Sequence, residues 1–213
     1  TEVLFFKLFF KIFLLCSATA AMESAFMRSS ANVRLNQTAF SEQALLDCVN
    51  GSCSAADHGA RNSPFDVVRT GYEYGLTDGW RLPYADEKQA CPENGSLPVV
   101  ARPFGYCYSI PVGGDDQDWM QLVGKLGPAF TGVNSRDRDF QLLRGPWNRD
   151  CTDNHRPTHA VLAVGWTPEY FIYKNSWGPF WGIDGYLYLQ KEESSSANTT
   201  RCAIKSFLGF PLI

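Results

Sequence analysis

Residues 175–186 read NSWGPFWGIDGY, and sixteen positions before Asn175 stands His159, entering the apolar run HAVLAVGW. Taken singly, a cluster of Trp, Gly and Tyr reads as packing around tight turns. A lone histidine on an apolar strand reads as a buried core residue. Together they say more. A histidine that acts as a general base needs its second ring nitrogen held by an acceptor, which fixes the tautomer and the ring's orientation. Asn175 supplies such an acceptor, and Trp177 stands where it can shield the contact from water.

Working outward, His159 to Val164 and Tyr170 to Lys174 are short alternating runs bounded by Gly and Pro, as strands of an antiparallel sheet would be. Trp119 to Leu126 reads as a helix among them, ended by Gly127 and Pro128. The first half has a different texture. Ser17 to Met27 is rich in helix formers, and Ser41 caps a helix running to Cys48. Pro64 to Tyr74 is a third helix, stopped by Gly75. Ser194 to Ser196 reads as a solvated turn. The expectation is an α+β chain, helical first and mostly β afterwards, with no internal repeat.

At 213 residues, 45% apolar and 19% charged, the chain is neither disordered nor fibrous and can bury a real core. Nineteen basic against twenty-two acidic residues leave a formal charge of -3, which excludes a general binder of nucleic-acid phosphates. Three histidines, with no Cys/His cluster at ligand spacing, give no support to a metal site.

Seven segments resemble the papain-like cysteine peptidases, in that family's order and near its spacing. They are SATAAMESAF (17–26), FSEQALLDC (40–48), the LPY before Cys91, LGPAFTGV (126–133), THAVLAVGW (158–166), KNSWGPFWGIDGYLYL (174–189) and RCAIKSFLGFP (201–211). The resemblance implies a helical left domain at 17–105 and an antiparallel, β-barrel-like right domain at 106–213. The C-terminal tail returns to the left domain, and peptides lie in a cleft between the two. It implies His159 and Asn175 as catalytic residues, Trp177 beside them, peptide or protein substrates and no cofactor. It also implies a monomer bound neither to nucleic acid nor to a membrane. A nucleophile at a helix N-terminus would be held as thiolate by the helix's positive end and would attack the scissile carbonyl. Nothing resembles the paired-histidine loop of the exopeptidase branch, so the expected activity is that of a cathepsin L-like endopeptidase.

The resemblance stops short of the nucleophile. The family's catalytic cysteine stands four residues before the serine matched by Ser17, within a Cys-Trp-Ala-Phe-Ser run; this chain has Phe13-Leu14-Leu15-Cys16-Ser17. The nucleophile position is therefore Phe13, and Lys7 stands where the oxyanion-hole glutamine belongs. Cys16 falls on a position that the family fills with a buried Phe, faces the interior and makes a poor substitute. Residues 1–16 form an aberrant apolar segment, TEVLFFKLFFKIFLLC, opening without Met. It reads as translated intron, since Cys16-Ser17 can be encoded with a splice-acceptor ending, or as a signal-like segment; its uncharged part is too short to span a bilayer.

By the family pattern Cys48 pairs with Cys91 and Cys151 with Cys202. Cys53 loses its partner, because that position is Phe10. Cys107, on an expected strand after Tyr106, reads as a small buried apolar residue. Ser54-Ala55-Ala56 replaces the family's Asn-Gly-Gly, so methyl groups of Ala55 and Ala56 crowd the backbone where a peptide would add as a strand. His58 and His155 read as surface residues. Asn36, Asn50, Asn94 and Asn198 each open an N-x-[ST] sequon. Sequons and disulfides together point to the secretory pathway, with a lysosomal or extracellular destination.

Overall fold

The computed structural model describes residues 2–29, 39–49, 64–85, 87–109, 116–148, 157–191, 204 and 207–213, and the α1 side chains from Leu15 onward. Among these residues, five helices and six strands follow in chain order. They are α1 (Glu2–Ser29), α2 (Glu42–Cys48), α3 (Pro64–Tyr74), β1 (Gly105–Ser109), α4 (Asp116–Leu126), β2 (Ala129–Val133), α5 (Arg138–Gln141), β3 (His159–Trp166), β4 (Tyr170–Lys174), β5 (Tyr186–Gln190) and β6 (Leu208–Leu212). The α+β class read from the sequence is the one observed. The chain divides into two compact units, Thr1–Cys107 with Pro211–Ile213, and Tyr108–Phe210.

In the first unit, α1 buries Leu15, Ser17, Ala18, Thr19, Ala21 and Met22. Cys16, Ala20, Glu23 and Met27, on the other side of the helix, are only half-buried. Gly71 of α3 sits close to Met22, Leu76 and Pro103, and any side chain there would push those atoms aside. Pro64 opens α3, where its missing N–H costs nothing. Gly75 closes it at φ 87°, a left-handed conformation, with its N–H on Gly71 O at 2.9 Å. The helix α2 starts on an extended Ser41, whose Oγ accepts from Ala44 N at 3.0 Å and donates to Leu82 O at 2.7 Å.

A buried polar clamp fixes the segment after Leu82 to α2. Gln43 is fully buried; its Nε2 donates to Asp47 Oδ1 and to Glu87 O, both at 2.8 Å, and its Oε1 accepts from Ala85 N at 2.9 Å. Asp47 Oδ1 also accepts from Gln89 N at 2.6 Å. Beside this clamp Cys48 and Cys91 are joined as a disulfide. Cys53, Cys151 and Cys202 lie outside the described residues.

All six strands belong to one sheet, in the order β1-β6-β2-β3-β4-β5. In the second unit β2, β3, β4 and β5 are joined by antiparallel pairings, with Val133 opposite His159 and Leu162 opposite Lys174. The core there is aromatic. Trp119 of α4 is fully buried, 4.6 Å from Phe171 and 5.6 Å from Tyr173 between ring centroids. Gly209 lets β6 pass close over the Phe130 ring, which a Cβ would strike. One sequence expectation fails: Cys107 is exposed, not buried. Its strand β1 ends the sheet order, and both neighbours, Tyr106 and Tyr108, are exposed as well. Among the described residues no helix is long and apolar enough to cross a membrane.

The clamp makes a stability prediction. Gln43→Leu removes the hydrogen bonds to the Ala85 N–H and the Glu87 carbonyl, at about 0.5–1.5 kcal/mol for each bond lost. Urea unfolding of the variant should show a lower midpoint at unchanged slope. An unchanged midpoint would mean the clamp contributes nothing.

Candidate active site

His159 opens β3, one residue after Thr158, whose N–H donates to Val133 O at 2.9 Å. Asn175 directly follows β4. The β3–β4 pairing brings the two side chains together: His159 Nε2 and Asn175 Oδ1 are 2.7 Å apart, with both residues buried. Asn175 Oδ1 also accepts the Ser176 N–H at 2.8 Å. A backbone N–H can only donate, so the atom facing it is oxygen and the orientation of the amide is settled by chemistry. The same oxygen requires His159 Nε2 to carry a proton. The neutral imidazole is therefore the Nε2–H tautomer, and its basic lone pair is on Nδ1.

The turn that carries Asn175 folds back on itself. Asn175 N donates to Gly185 O at 3.0 Å, Gly185 N to Trp181 O at 2.9 Å, and Gly182 N to Leu143 O at 2.9 Å. Gly178, Gly182 and Gly185 have φ of 84°, 62° and 86°. At Gly182 a Cβ would also collide with Tyr186 O. Trp177 stacks on the imidazole at 4.9 Å and 29°. Behind it, Trp181 lies 5.3 Å away and donates its indole N–H to Phe140 O at 2.9 Å. Phe140 and Trp181 were not singled out by the sequence reading, although Trp181 lies inside the quoted motif. Burial holds the His159 pKa down at about 4, partly opposed by the hydrogen bond to Asn175.

In the first unit, Phe13 and Lys7 lie on α1, and their side chains are outside the described residues. The helix does not begin near Phe13, as the resemblance leads one to expect. It begins at Glu2, eleven residues earlier and about 16 Å away at 1.5 Å per residue. The macrodipole's positive end acts within the first turn, so it does not reach position 13 or 16. Cys16 is half-buried. Burial pushes its thiol well above the ordinary range, the carboxylate of Glu42 raises it further by charge and by hydrogen bonding, and Glu23 adds to this. Glu42 and Glu23 went unnoticed in the sequence because nothing local ties them to Cys16. At neutral pH this is a thiol and not a thiolate. Ala55 and Ala56 lie outside the described residues, and no group of His, Cys, Asp and Glu suited to a metal ion occurs among the described ones.

The model of the papain family cysteine proteases matches residues 15–211. The chain belongs to that family. A cathepsin L-like proteinase of Fasciola hepatica is 30% identical over 206 residues, covering 92% of this chain and 57% of the relative. Papain-family structures agree: the bromelain protease from Ananas comosus, in complex with the E64 inhibitor, superposes at TM-score 0.76 and 26% identity, covering 95% of this chain and 89% of that one. A cysteine protease from Carica candamarcensis gives 0.74 at 25% identity, with coverage of 94% and 88%. The chain spans about half the length of the curated papain-family relatives it matches.

The depressed His159 pKa has a pH consequence with a definite sign. Between about 4 and 6.5 the unfolded chain binds the proton that the folded chain refuses, so stability rises with pH across that window. The contribution is whole above 6.5 and lost as pH falls towards 4, amounting to about 3 kcal/mol. Urea unfolding at several pH values, compared with His159→Gln, should show this dependence only in the parent chain. Parallel curves for the two proteins would refute it.

Proposed function

We propose that the chain is a papain-family endopeptidase scaffold in which His159 and Asn175 are the catalytic pair and Trp177 protects their contact. As written, it does not cleave peptides, because Phe13 occupies the nucleophile position. The 2.7 Å contact between His159 and Asn175 is the observation that carries the catalytic-pair reading. It holds a neutral imidazole in one tautomer, the form that takes a proton from a thiol. Cys16 does not replace the missing group, since its thiol lies beside the carboxylate of Glu42 and the start of its own helix, at Glu2, is far away. Substrates are peptides or proteins, and the chain is organised as a left domain at 17–105 and a right domain at 106–213. Ala55 and Ala56 line the strand-addition site, and no cofactor takes part. A second disulfide joins Cys151 to Cys202. The working form is a monomer in the secretory pathway, lysosomal or extracellular, which the Cys48–Cys91 disulfide supports.

The second reading is a catalytically dead papain-fold protein that binds peptides or serves in a matrix. The protonated Cys16 thiol favours it, because such a site has no nucleophile to lose. One series of proteins separates the two. The parent chain should show no thiol-dependent turnover of a fluorogenic peptide. A variant carrying Lys7→Gln, Phe13→Cys, Leu14→Trp, Leu15→Ala and Cys16→Phe restores the family's run. Under the first reading it gains thiol-dependent turnover, which His159→Ala then lowers by about 10²–10⁴-fold. Restored sequence without turnover leaves the binding protein standing. Thiol-dependent cleavage by the parent chain would sink the assignment of Phe13.

A further inference from the structure

We propose that Asn94 is an acceptor for an N-linked oligosaccharide, a modification that rests on the secretory setting argued above but not on any peptidase activity. Of the four sequons, Asn94-Gly95-Ser96 is the one within the described residues; Asn36, Asn50 and Asn198 lie outside them. The middle residue is Gly, so the proline that blocks such sites is absent. The three residues sit in a tight turn closed by the Ser96 N–H on Glu93 O at 2.9 Å. Gly95 takes φ 85°, as the third residue of a type II turn does. Glu93, Asn94, Gly95 and Ser96 are all exposed, in neither helix nor strand.

Space matters as much as exposure. A Cβ built on Gly95 would meet nothing within 4 Å, so the residue next to Asn94 faces open space. A sugar added to the unfolded chain would thus be carried through folding without a steric penalty. Three residues upstream, Cys91 is bonded to Cys48, a bond that forms in the oxidising compartment where the glycan is also added. The co-donor is an oligosaccharide on a lipid pyrophosphate. Asn94 Nδ2 forms a bond to the anomeric carbon, the bond from that carbon to the pyrophosphate oxygen breaks, and the lipid pyrophosphate leaves with the electron pair. The amide gives up one proton to a base.

The test uses the full chain, led into the secretory pathway of eukaryotic cells by an added signal sequence and recovered from medium and membrane fractions. Peptide-N-glycosidase in heavy-oxygen water turns each glycosylated Asn into a labelled Asp, and tryptic mapping reads both that label and the Cys48–Cys91 link. The expected result is label at Asn94 in the linked protein, lost in Asn94→Gln and in Ser96→Ala and kept in Ser96→Thr. Linked protein with an unlabelled Asn94 overturns the proposal while leaving the compartment reading intact. Protein with both thiols reduced and every sequon bare overturns the two together.

Discussion

The hydrogen bond from His159 Nε2–H to Asn175 Oδ1 is the contact that the rest of the second unit is arranged to make. Neither residue could make it by local conformation, since they stand sixteen positions apart. The β3–β4 pairing aligns the strands, and the turn after β4 then reverses tightly enough for Asn175 N to reach Gly185 O. That reversal needs positive φ at three glycines, one of which would drive a Cβ into Tyr186 O. The turn in its own right is pinned from outside by Trp181 on Phe140 O. A buried amide or imidazole left without partners costs about 1–3 kcal/mol, so the glycines, the indole and the sheet register are held to one solution.

What was legible in the sequence was what local chemistry decides. Pro64 and Gly75 mark the ends of α3 because one lacks an N–H where none is needed and the other accepts a left-handed backbone. Ser41 announces α2 by supplying the first acceptor. The pairing of His159 with Asn175 could be read because a tautomer-fixing acceptor is a chemical requirement that two neighbouring β segments can meet. What stayed hidden depends on distant partners. Gln43 looks like any surface glutamine until Ala85 and Glu87, more than forty residues on, close around it. β2 is buried at all five positions, so it has no alternation to betray a strand. Cys107 was misjudged because a terminal strand exposes residues that would be covered at the centre of a sheet.

The first unit illustrates how little a cysteine means without its surroundings. A nucleophilic thiolate wants positive potential and access to water. Cys16 has a carboxylate for a neighbour, a second one adding to the same field, and a partly buried position that disfavours charge. Extending α1 back to Glu2 removes the remaining help, because the unsatisfied N–H groups at a helix start exert their field over only about a turn. Each factor moves the proton equilibrium towards the thiol, and they act together.

The division of the chain also explains how a site can survive in part. His159, Asn175, Trp177, Phe140 and Trp181 all belong to the unit Tyr108–Phe210, and the Asn175 hydrogen bond and the Trp177 stacking that orient the imidazole are internal to it. Phe13 and Lys7, which the proposed reading sets at the nucleophile and oxyanion positions, lie in the other unit, on α1. A change confined to residues 1–16 therefore leaves the contacts between His159, Asn175 and Trp177 as they are. The reverse does not hold: a substitution at Gly182 would disturb the turn that carries Asn175 while leaving α1 as it is. Retention of an oriented histidine is thus a statement about the second unit's fold and says nothing of α1.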